Sequence, residues 1–208
     1  MEIDIIRAHV KDMLEARGDD VCYIEEHGDA VETAKYYSEP ITLDTDKTTV
    51  FFALTKDILK KLTGEWKSDD TRKSHEILLE MYKGYKQFIL IVAEPPSSVT
   101  MTKLMEIDKG LAGLAGLPGG GGGFQIFNTK ELLYNPLKHV LVPLHERLSE
   151  AEAKKIMDVY MVKQKINMPI ISRNDVIARW LGLRQGDIVR ITRHNETSGI
   201  YYYYRCCV

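Results

Sequence analysis

One short stretch of the chain carries residue types that could support hydrolysis. Glu65 and Lys67 are separated by one residue and follow Asp57, which matches the acidic-x-Lys pattern of metal-dependent nucleases. Such carboxylates hold Mg²⁺ only when a rigid element fixes them around the ion. Because Glu65 follows a glycine in a polar stretch rather than lying in a core strand, we keep a metal-dependent nuclease only as an alternative function.

The other reactive residue types lack the spacing of a catalytic or metal site. The serines show no Gly-x-Ser-x-Gly nucleophile pattern, and the histidines form neither HxH nor HxxxH. The cysteines have no CxxC spacing, which fits a reducing compartment and argues against zinc. We therefore expect no catalytic residue, no cofactor and no metal. The cysteines are Cys22, Cys206 and Cys207, and the histidines are His9, His27, His75, His139, His145 and His194.

Glycines are concentrated in residues 110–123. A Walker loop ends in Gly-Lys-Ser/Thr, but this run ends in Phe124-Gln125, so no lysine is placed on a phosphate. A dinucleotide fingerprint requires a strand before the glycines and a helix after them, and here the predicted order is reversed. We expect a flexible surface loop.

A strand, a turn and a helix between residues 87 and 109 form the best candidate contact for phosphate. Residues 87–93 are a continuous apolar run, which predicts a strand in the middle of a sheet with both faces covered. Backbone N–H groups and hydroxyls at the start of the helix predicted for residues 100–109 would suit a phosphate, with an ordinary strand-to-helix turn as the alternative. The candidate residues are Pro96, Ser97, Ser98 and Lys103.

The chain is acidic in its first part and basic in its last part. Its 208 residues carry a net charge of −2. Residues 136–208 hold 12 Lys and Arg against 7 Asp and Glu, a net charge of +5, which leaves −7 for residues 1–135. A broad nucleic-acid-binding surface should be basic, so any DNA contact of the first part is local and weak. With an acidic N-terminus and no run of about 18 apolar residues, we expect neither secretion nor membrane insertion.

Elements that could position these residues follow from apolar spacing. Apolar positions three and four apart over residues 3–17, with Gly18 as a stop, predict an amphipathic first helix. Residues 48–54 predict a strand, and residues 124–134 complete a sheet before a domain boundary at Tyr134-Asn135-Pro136. Further helices are predicted at residues 56–62 and within residues 66–85.

The last 34 residues predict a helix followed by two strands. Asp175 can cap a helix that Gly182 ends, and a tight turn at residues 184–186 follows. Strands are predicted at residues 188–191 and 200–204, joined by residues 195–199. The helix positions expected on one apolar face are Val176, Ile177, Trp180 and Leu181.

The ordered residues of this region resemble a known family. Residues 175–191 read Asp-x-x-Ala-Arg-aromatic-x-Gly-Leu-x-x-Gly-Asp-x-Val-x-Ile, and residues 193–205 read Arg-x-x-Glu-Thr-x-Gly-x-Tyr-x-x-Tyr-Arg. With the proline-containing strand predicted at residues 139–145, the pattern resembles the fifth subunit of eukaryotic nuclear RNA polymerases, whose C-terminal module alone constitutes the corresponding archaeal polymerase subunit. Val176 and His194-Asn195 depart from the family's usual Pro and Pro-Ser.

The resemblance implies an α/β protein of two domains. Residues 1–135 would form a jaw-like domain near downstream DNA, and the turn at residues 96–98 is the nearest match to the family's Thr-Pro-Ser-Ala motif. Residues 136–208 would form a small α+β assembly domain that docks on the largest subunit, and nucleotide addition would belong to the large subunits. The implied interface residues are His139, Pro143, His145, Asp175, Arg179, Gly182, Gly186, Arg193, Glu196, Thr197, Gly199, Tyr201 and Arg205.

The resemblance also bears on source and location. A jaw domain, which the archaeal protein lacks, implies a eukaryotic-type enzyme from a cell or from a large DNA virus. The chain would then act in the nucleus, or in a virion or cytoplasmic viral factory.

A free-standing nucleic-acid-binding module that stacks bases on residues 201–204 is a further alternative. Strand alternation allows two of these four tyrosines on each face, and we expect one pair in the core.

Overall fold

A computed structural model describes residues 2–21, 41–45, 47–56, 87–102, 104 and 124–208. The chain divides into two compact units, Met1–Tyr134 and Asn135–Val208. Helices and strands are mixed, so the fold is α/β as predicted. None of the described helices is both long and apolar enough to cross a membrane. Outside the described residues lie the predicted helix at 56–62 except Lys56, the helix predicted within 66–85, the glycine-rich run, Lys103, and the nuclease residues Asp57, Glu65 and Lys67.

Among its described residues, the first unit has an N-terminal helix and a four-stranded sheet in the order β1-β2-β3-β4. β1 is antiparallel to β2, whereas β2, β3 and β4 run parallel. The prediction of a central strand is confirmed, because β3 lies between β2 and β4 and its residues 88–92 are at most 1% exposed. The elements are α1 (Glu2–Arg17), β1 (Ile41–Asp44), β2 (Thr48–Ala53), β3 (Gln87–Val92) and β4 (Phe124–Asn128).

The amphipathic first helix is also confirmed. Its apolar face buries Val10, Met13 and Leu14, and the chain leaves the helix at Gly18 with φ +79°. This left-handed conformation favours glycine, which explains the stop. Arg17 Nη2 donates to the side-chain oxygen of Gln125 at 2.6 Å, which ties the end of α1 to β4.

The second unit is a four-stranded sheet in the order β5-β7-β8-β6 with two helices. β7 is antiparallel to β5 and to β8, and β6 is parallel to β8. The elements are β5 (Leu144–Arg147), α2 (Glu150–Val159), β6 (Ile170–Ile171), α3 (Val176–Trp180), β7 (Ile188–Asn195) and β8 (Gly199–Cys207).

Each face of this second sheet carries its own core. On the α3 face, defined by the odd-numbered residues of β7 and β8, Val189, Ile191 and Cys207 pack with Ala178 of α3. On the α2 face, the even-numbered residues Ile188 and Cys206 pack with Ala153 of α2. Both cysteines are buried free thiols.

Capping and turn predictions in this unit are confirmed. Asp175 accepts a hydrogen bond from the backbone N–H of Ile177 at 2.8 Å, as predicted. Ser149, whose cap was not predicted, caps α2 through a capping box with Glu152. Gly182 and Gly186 have φ +63° and +87°, so each turn uses a conformation that favours glycine.

Three predictions about this unit are wrong in detail. Val176 is 50% exposed rather than on the buried face, and Ala178 occupies the buried position instead. The proline-containing run before His145 forms turns, and the strand begins only at Leu144. The two C-terminal strands are longer than predicted, because cross-strand pairing extends to Asn195 and Gly199.

Candidate subunit interface

The β7–β8 hairpin carries most of the predicted interface residues. Its register runs from Ile188 opposite Cys206 to Asn195 opposite Gly199, and Gly199 has φ +70°. In the connecting loop, the Asn195 side-chain oxygen accepts from the N–H of Thr197 at 3.1 Å. This local turn chemistry places Glu196 and Thr197 at the exposed tip of the hairpin.

Two arginines bracket one tyrosine on the α3 face, and we call Arg193 and Arg205 the arginine pair. Their guanidinium carbons lie 5.4 and 5.6 Å from the centre of the Tyr203 ring. Arg193 is opposite Tyr201 and Arg205 is opposite Val189, so the pair lies on either side of Tyr203 along the hairpin. Tyr203 was not among the predicted site residues, although its i, i+2 spacing to Arg205 indicates a shared face.

The arginine pair has unused hydrogen-bonding capacity. The Nε atoms of Arg193 and Arg205 are shielded from solvent and donate no hydrogen bond within the described part of the chain. A buried donor without an acceptor costs about 1–3 kcal/mol. Contact of a guanidinium with an aromatic face returns only about 0.5–1 kcal/mol at an exposed site. The pair is therefore electrostatically incomplete.

His145 and Asp175 lie close to the arginine pair. His145 is opposite Ile191, which places it on the α3 face, and its Nδ1 donates to the Pro143 carbonyl oxygen at 2.6 Å. Burial lowers the pKa of His145, and the positive charges of Arg205 and Arg193 lower it further. The Pro143 hydrogen bond and the Asp175 carboxylate act in the opposite direction. The structure thus brings together four of the predicted interface residues.

The α2 face shows a contrasting arginine, Arg190, which forms an ion pair with Glu146. The Glu146 side-chain oxygen Oε2 accepts from Nε and Nη2 of Arg190 at 3.1 and 2.9 Å. This hydrogen bond and the carboxylate charge raise the pKa of Arg190, whose guanidinium lies 5.5 Å from the Tyr202 ring centre. Because Glu146 neutralises the charge of Arg190, Arg190 does not require a carboxylate from another protein for its charge to be paired.

Several predicted interface residues have structural roles. Pro143 supplies the carbonyl that orients His145, and Gly182, Gly186 and Gly199 adopt positive φ at turns. His139 is exposed and accepts from the N–H of Leu141 within a turn that leaves Val140 96% exposed. Arg179 is half-buried on α3.

The tyrosine prediction is wrong in its pairing. Neither same-face pair forms the core, because Tyr201 and Tyr202 are both exposed, on opposite faces near the hairpin tip. Tyr203 and Tyr204, nearer the base, pack against the α3-face and α2-face cores respectively. A base-stacking platform of neighbouring exposed rings is therefore absent from this described hairpin.

The predicted phosphate-contact turn is an internally bonded helix start. The helical residues begin at 98, two residues earlier than predicted. Ser97 caps them, since its hydroxyl accepts from the N–H of Thr100 at 3.2 Å and lies 2.8 Å from the Thr100 hydroxyl. Ser98 is exposed and Pro96 is half-buried. Among the described residues, no group of three or more His, Cys, Asp or Glu side chains could hold a metal ion.

The second unit matches a known protein family. Residues 134–207 match the family described as RNA polymerase Rpb5, C-terminal domain. The chain is 43% identical over 75 residues to DNA-directed RNA polymerase subunit Rpo5 of Pyrococcus horikoshii, a match that covers 36% of this chain and 90% of that protein.

Two eukaryotic proteins are also similar over part of the chain. Subunit rpabc1 of DNA-directed RNA polymerases I, II, and III from Dictyostelium discoideum is 43% identical over 82 residues, which are 39% of this chain and 41% of that protein. Subunit 5B of DNA-directed RNA polymerases IV and V from Arabidopsis thaliana is 33% identical over 82 residues, 39% of this chain and 37% of that protein. The match thus spans less than half of either eukaryotic relative. Because nearly the whole archaeal protein is matched, the chain belongs to the family of RNA polymerase subunit 5.

Proposed function

We propose that this chain is a non-catalytic structural subunit of a multisubunit DNA-dependent RNA polymerase, and that residues 136–208 dock on the largest subunit. The observation that carries the proposal is the arginine pair. Two half-buried guanidinium groups with shielded, unpaired Nε atoms sit on the α3 face of a unit whose relatives are polymerase subunits. A carboxylate on the neighbouring subunit completes this cluster.

The chemistry of the pair favours a protein carboxylate. A guanidinium presents parallel N–H donors that match the two oxygens of Asp or Glu, and such charge-assisted bonds are stronger than neutral ones. The net charge of +5 on residues 136–208 favours an acidic partner surface. His145 stays neutral at physiological pH because its pKa is lowered, so it donates and accepts without adding repulsion.

The first unit lies near downstream DNA in this proposal, as the jaw domain of residues 1–135. Pro96, Ser97, Ser98 and Lys103 are its candidate DNA-proximal residues. The net charge of −7 restricts any such contact to a local one, so DNA affinity comes chiefly from the other subunits. The chain's location is that of its polymerase: the nucleus for a cellular enzyme, or a virion or cytoplasmic factory for a viral one.

The test is affinity purification of the tagged full-length chain from its native source. We expect two very large polymerase subunits in the eluate, identified by mass spectrometry, together with promoter-independent RNA synthesis. The double variant Arg193→Gln, Arg205→Gln should recover these subunits at least about tenfold less, since losing one partner of a buried charged contact costs about 2 kcal/mol or more.

The matched control is Arg190→Gln, which removes an arginine from the same hairpin but from the opposite face. We expect this variant to recover the large subunits as the wild type does. Recovery of the chain alone, with Mg²⁺-dependent DNA cleavage that Glu65→Ala abolishes, would contradict the polymerase function and support the nuclease alternative.

A further inference from the structure

β8 has a strand beside it along only part of one edge. β7 pairs with it from Gly199 to Cys206, but on the other edge β6 reaches only Cys206 and Cys207. Within the part of the chain that the structure describes, residues 199–205 therefore border no strand on that side.

Backbone direction along β8 can be assigned from the hydrogen bonds at its base. Cys207 N donates to Asp187 on the β7 side, whereas Cys206 N donates to the Pro169 carbonyl on the β6 side. In an antiparallel pair the backbone groups of successive residues point alternately toward and away from the partner strand. The even-numbered residues Ile200, Tyr202 and Tyr204 therefore direct their N–H and C=O groups to the open edge.

This open edge lacks the features that usually block pairing with another chain. Natural edge strands carry proline, charged residues, bulges or a cover. Residues 200–204 read Ile-Tyr-Tyr-Tyr-Tyr, with high strand propensity and no charge or proline. Ile200 and Tyr202, which point their backbone groups outward, are 57% and 54% exposed.

We propose that an extended segment of another polymerase subunit adds to this edge as a fifth strand along residues 199–205. The inference deepens the proposed function and rests on it. Main-chain hydrogen bonds to Ile200 and Tyr202 supply affinity in this mode, and alternate side chains supply specificity.

The two faces of the hairpin determine which kinds of side chain the added strand carries. Side chains on its α3 face meet Arg205 and Tyr203, next to the incompletely paired Arg193, so they are acidic. Side chains on its α2 face meet Ile200 and Tyr202, so they are apolar or aromatic. A second copy of this chain is a poor occupant, because it would bring its own arginine pair to the same face.

Amide hydrogen exchange with single-residue resolution tests the proposal. In the free full-length chain, the amides of Ile200 and Tyr202 should exchange fast, while those of Tyr201 and Tyr203, which face β7, exchange slowly. In the purified polymerase, Ile200 and Tyr202 should slow by at least about tenfold, as newly bonded strand amides do. Samples are quenched and read by electron-transfer fragmentation and mass spectrometry.

A pair of variants provides a second measurement. Tyr202→Pro removes an outward N–H, which an edge strand tolerates while it has no neighbour, and Tyr202→Ala removes only the side chain. If both variants keep the wild-type circular dichroism, recovery of the large subunits should fall at least about fivefold more for proline than for alanine, about 1 kcal/mol for one lost hydrogen bond.

The outcomes separate the two proposals. Failure of the wild-type chain to enter a polymerase overturns both. Entry with unchanged exchange at Ile200 and Tyr202 overturns strand addition alone and leaves the subunit function standing, whatever the variants do. Slowed exchange at all of residues 200–203 without alternation also contradicts strand addition, because simple coverage by a partner protects both sets of amides.

Discussion

Replacing the arginine pair should separate folding from assembly. In the double variant Arg193→Gln, Arg205→Gln, the isolated chain should keep its stability even though its recovery of the large polymerase subunits falls at least about tenfold. Most substitutions that impair a half-buried charge lower stability, so this separation is specific to groups that are left without an acceptor in the free chain.

The magnitude follows from opposing contributions at each arginine. The shielded Nε without an acceptor costs about 1–3 kcal/mol, and its removal is a gain. Against this stands the lost contact with the Tyr203 ring, about 0.5–1 kcal/mol per guanidinium, and some lost packing of the aliphatic stem. The gain at each arginine is at least as large as the loss of the ring contact, so the free energy of unfolding should fall by no more than about 1 kcal/mol once lost stem packing is included.

The assay is urea unfolding followed by Trp180 fluorescence. Trp180 is 2% exposed in α3 and reports on the second unit, and a Trp66→Phe background removes the other tryptophan. The control Arg190→Gln loses a half-exposed ion pair with Glu146 and should lower stability by about 0.2–1 kcal/mol. A loss above about 2 kcal/mol in the double variant would refute the reasoning, because it would show that the pair already has acceptors in the free chain.

Three further predictions concern the second unit. Ile191→Ala should lower the free energy of unfolding by about 2–5 kcal/mol, because the side chain is 1% exposed. Val176→Ala should change it by less than about 0.5 kcal/mol. The midpoints of urea unfolding of the two variants test both values. Cys206 and Cys207 should react with iodoacetamide only after unfolding, because burial raises both thiol pKa values. Rapid labelling of either of these two residues in the native chain, located by peptide mass spectrometry, would contradict this. Since the folded pKa of His145 is lowered, the unfolded chain binds the proton first, so stability should fall as pH drops below about 6.5. His145→Gln should weaken that pH dependence, and an unchanged curve of unfolding midpoint against pH would count against it.

Local chemistry was enough to predict the ends of elements. Gly18, Gly182 and Gly186 occupy positive-φ positions and Asp175 caps α3, and each of these effects involves only residues within a few positions of one another. The apolar run at residues 87–93 also predicted a central strand from a short stretch of sequence, because a strand that is buried on both faces shows no alternation of polar and apolar residues.

The buried face of α3 and the lengths of β7 and β8 depend on tertiary packing, so the sequence alone did not predict them correctly. A five-residue helix has too few turns to define a face by spacing, so the buried position fell to Ala178 and not to Val176. Strand lengths were underestimated because residues 192–195 are polar, and their pairing depends on the partner strand rather than on their own propensity.

The interface chemistry was the least predictable part, and the hairpin register explains why. Arg205 shares a face with Tyr203 through its i, i+2 spacing, but Arg193 lies on the other strand and meets them only because Ile191 pairs with Tyr203. A shift of one residue would move Tyr203 to the α2 face and dissolve the cluster. The same register fixes the core at the base of the hairpin, where Val189 and Cys207 are fully buried. Folding of the core and formation of the candidate interface therefore depend on one set of backbone pairs, so a variant that preserves the core also preserves the arrangement presented to a partner.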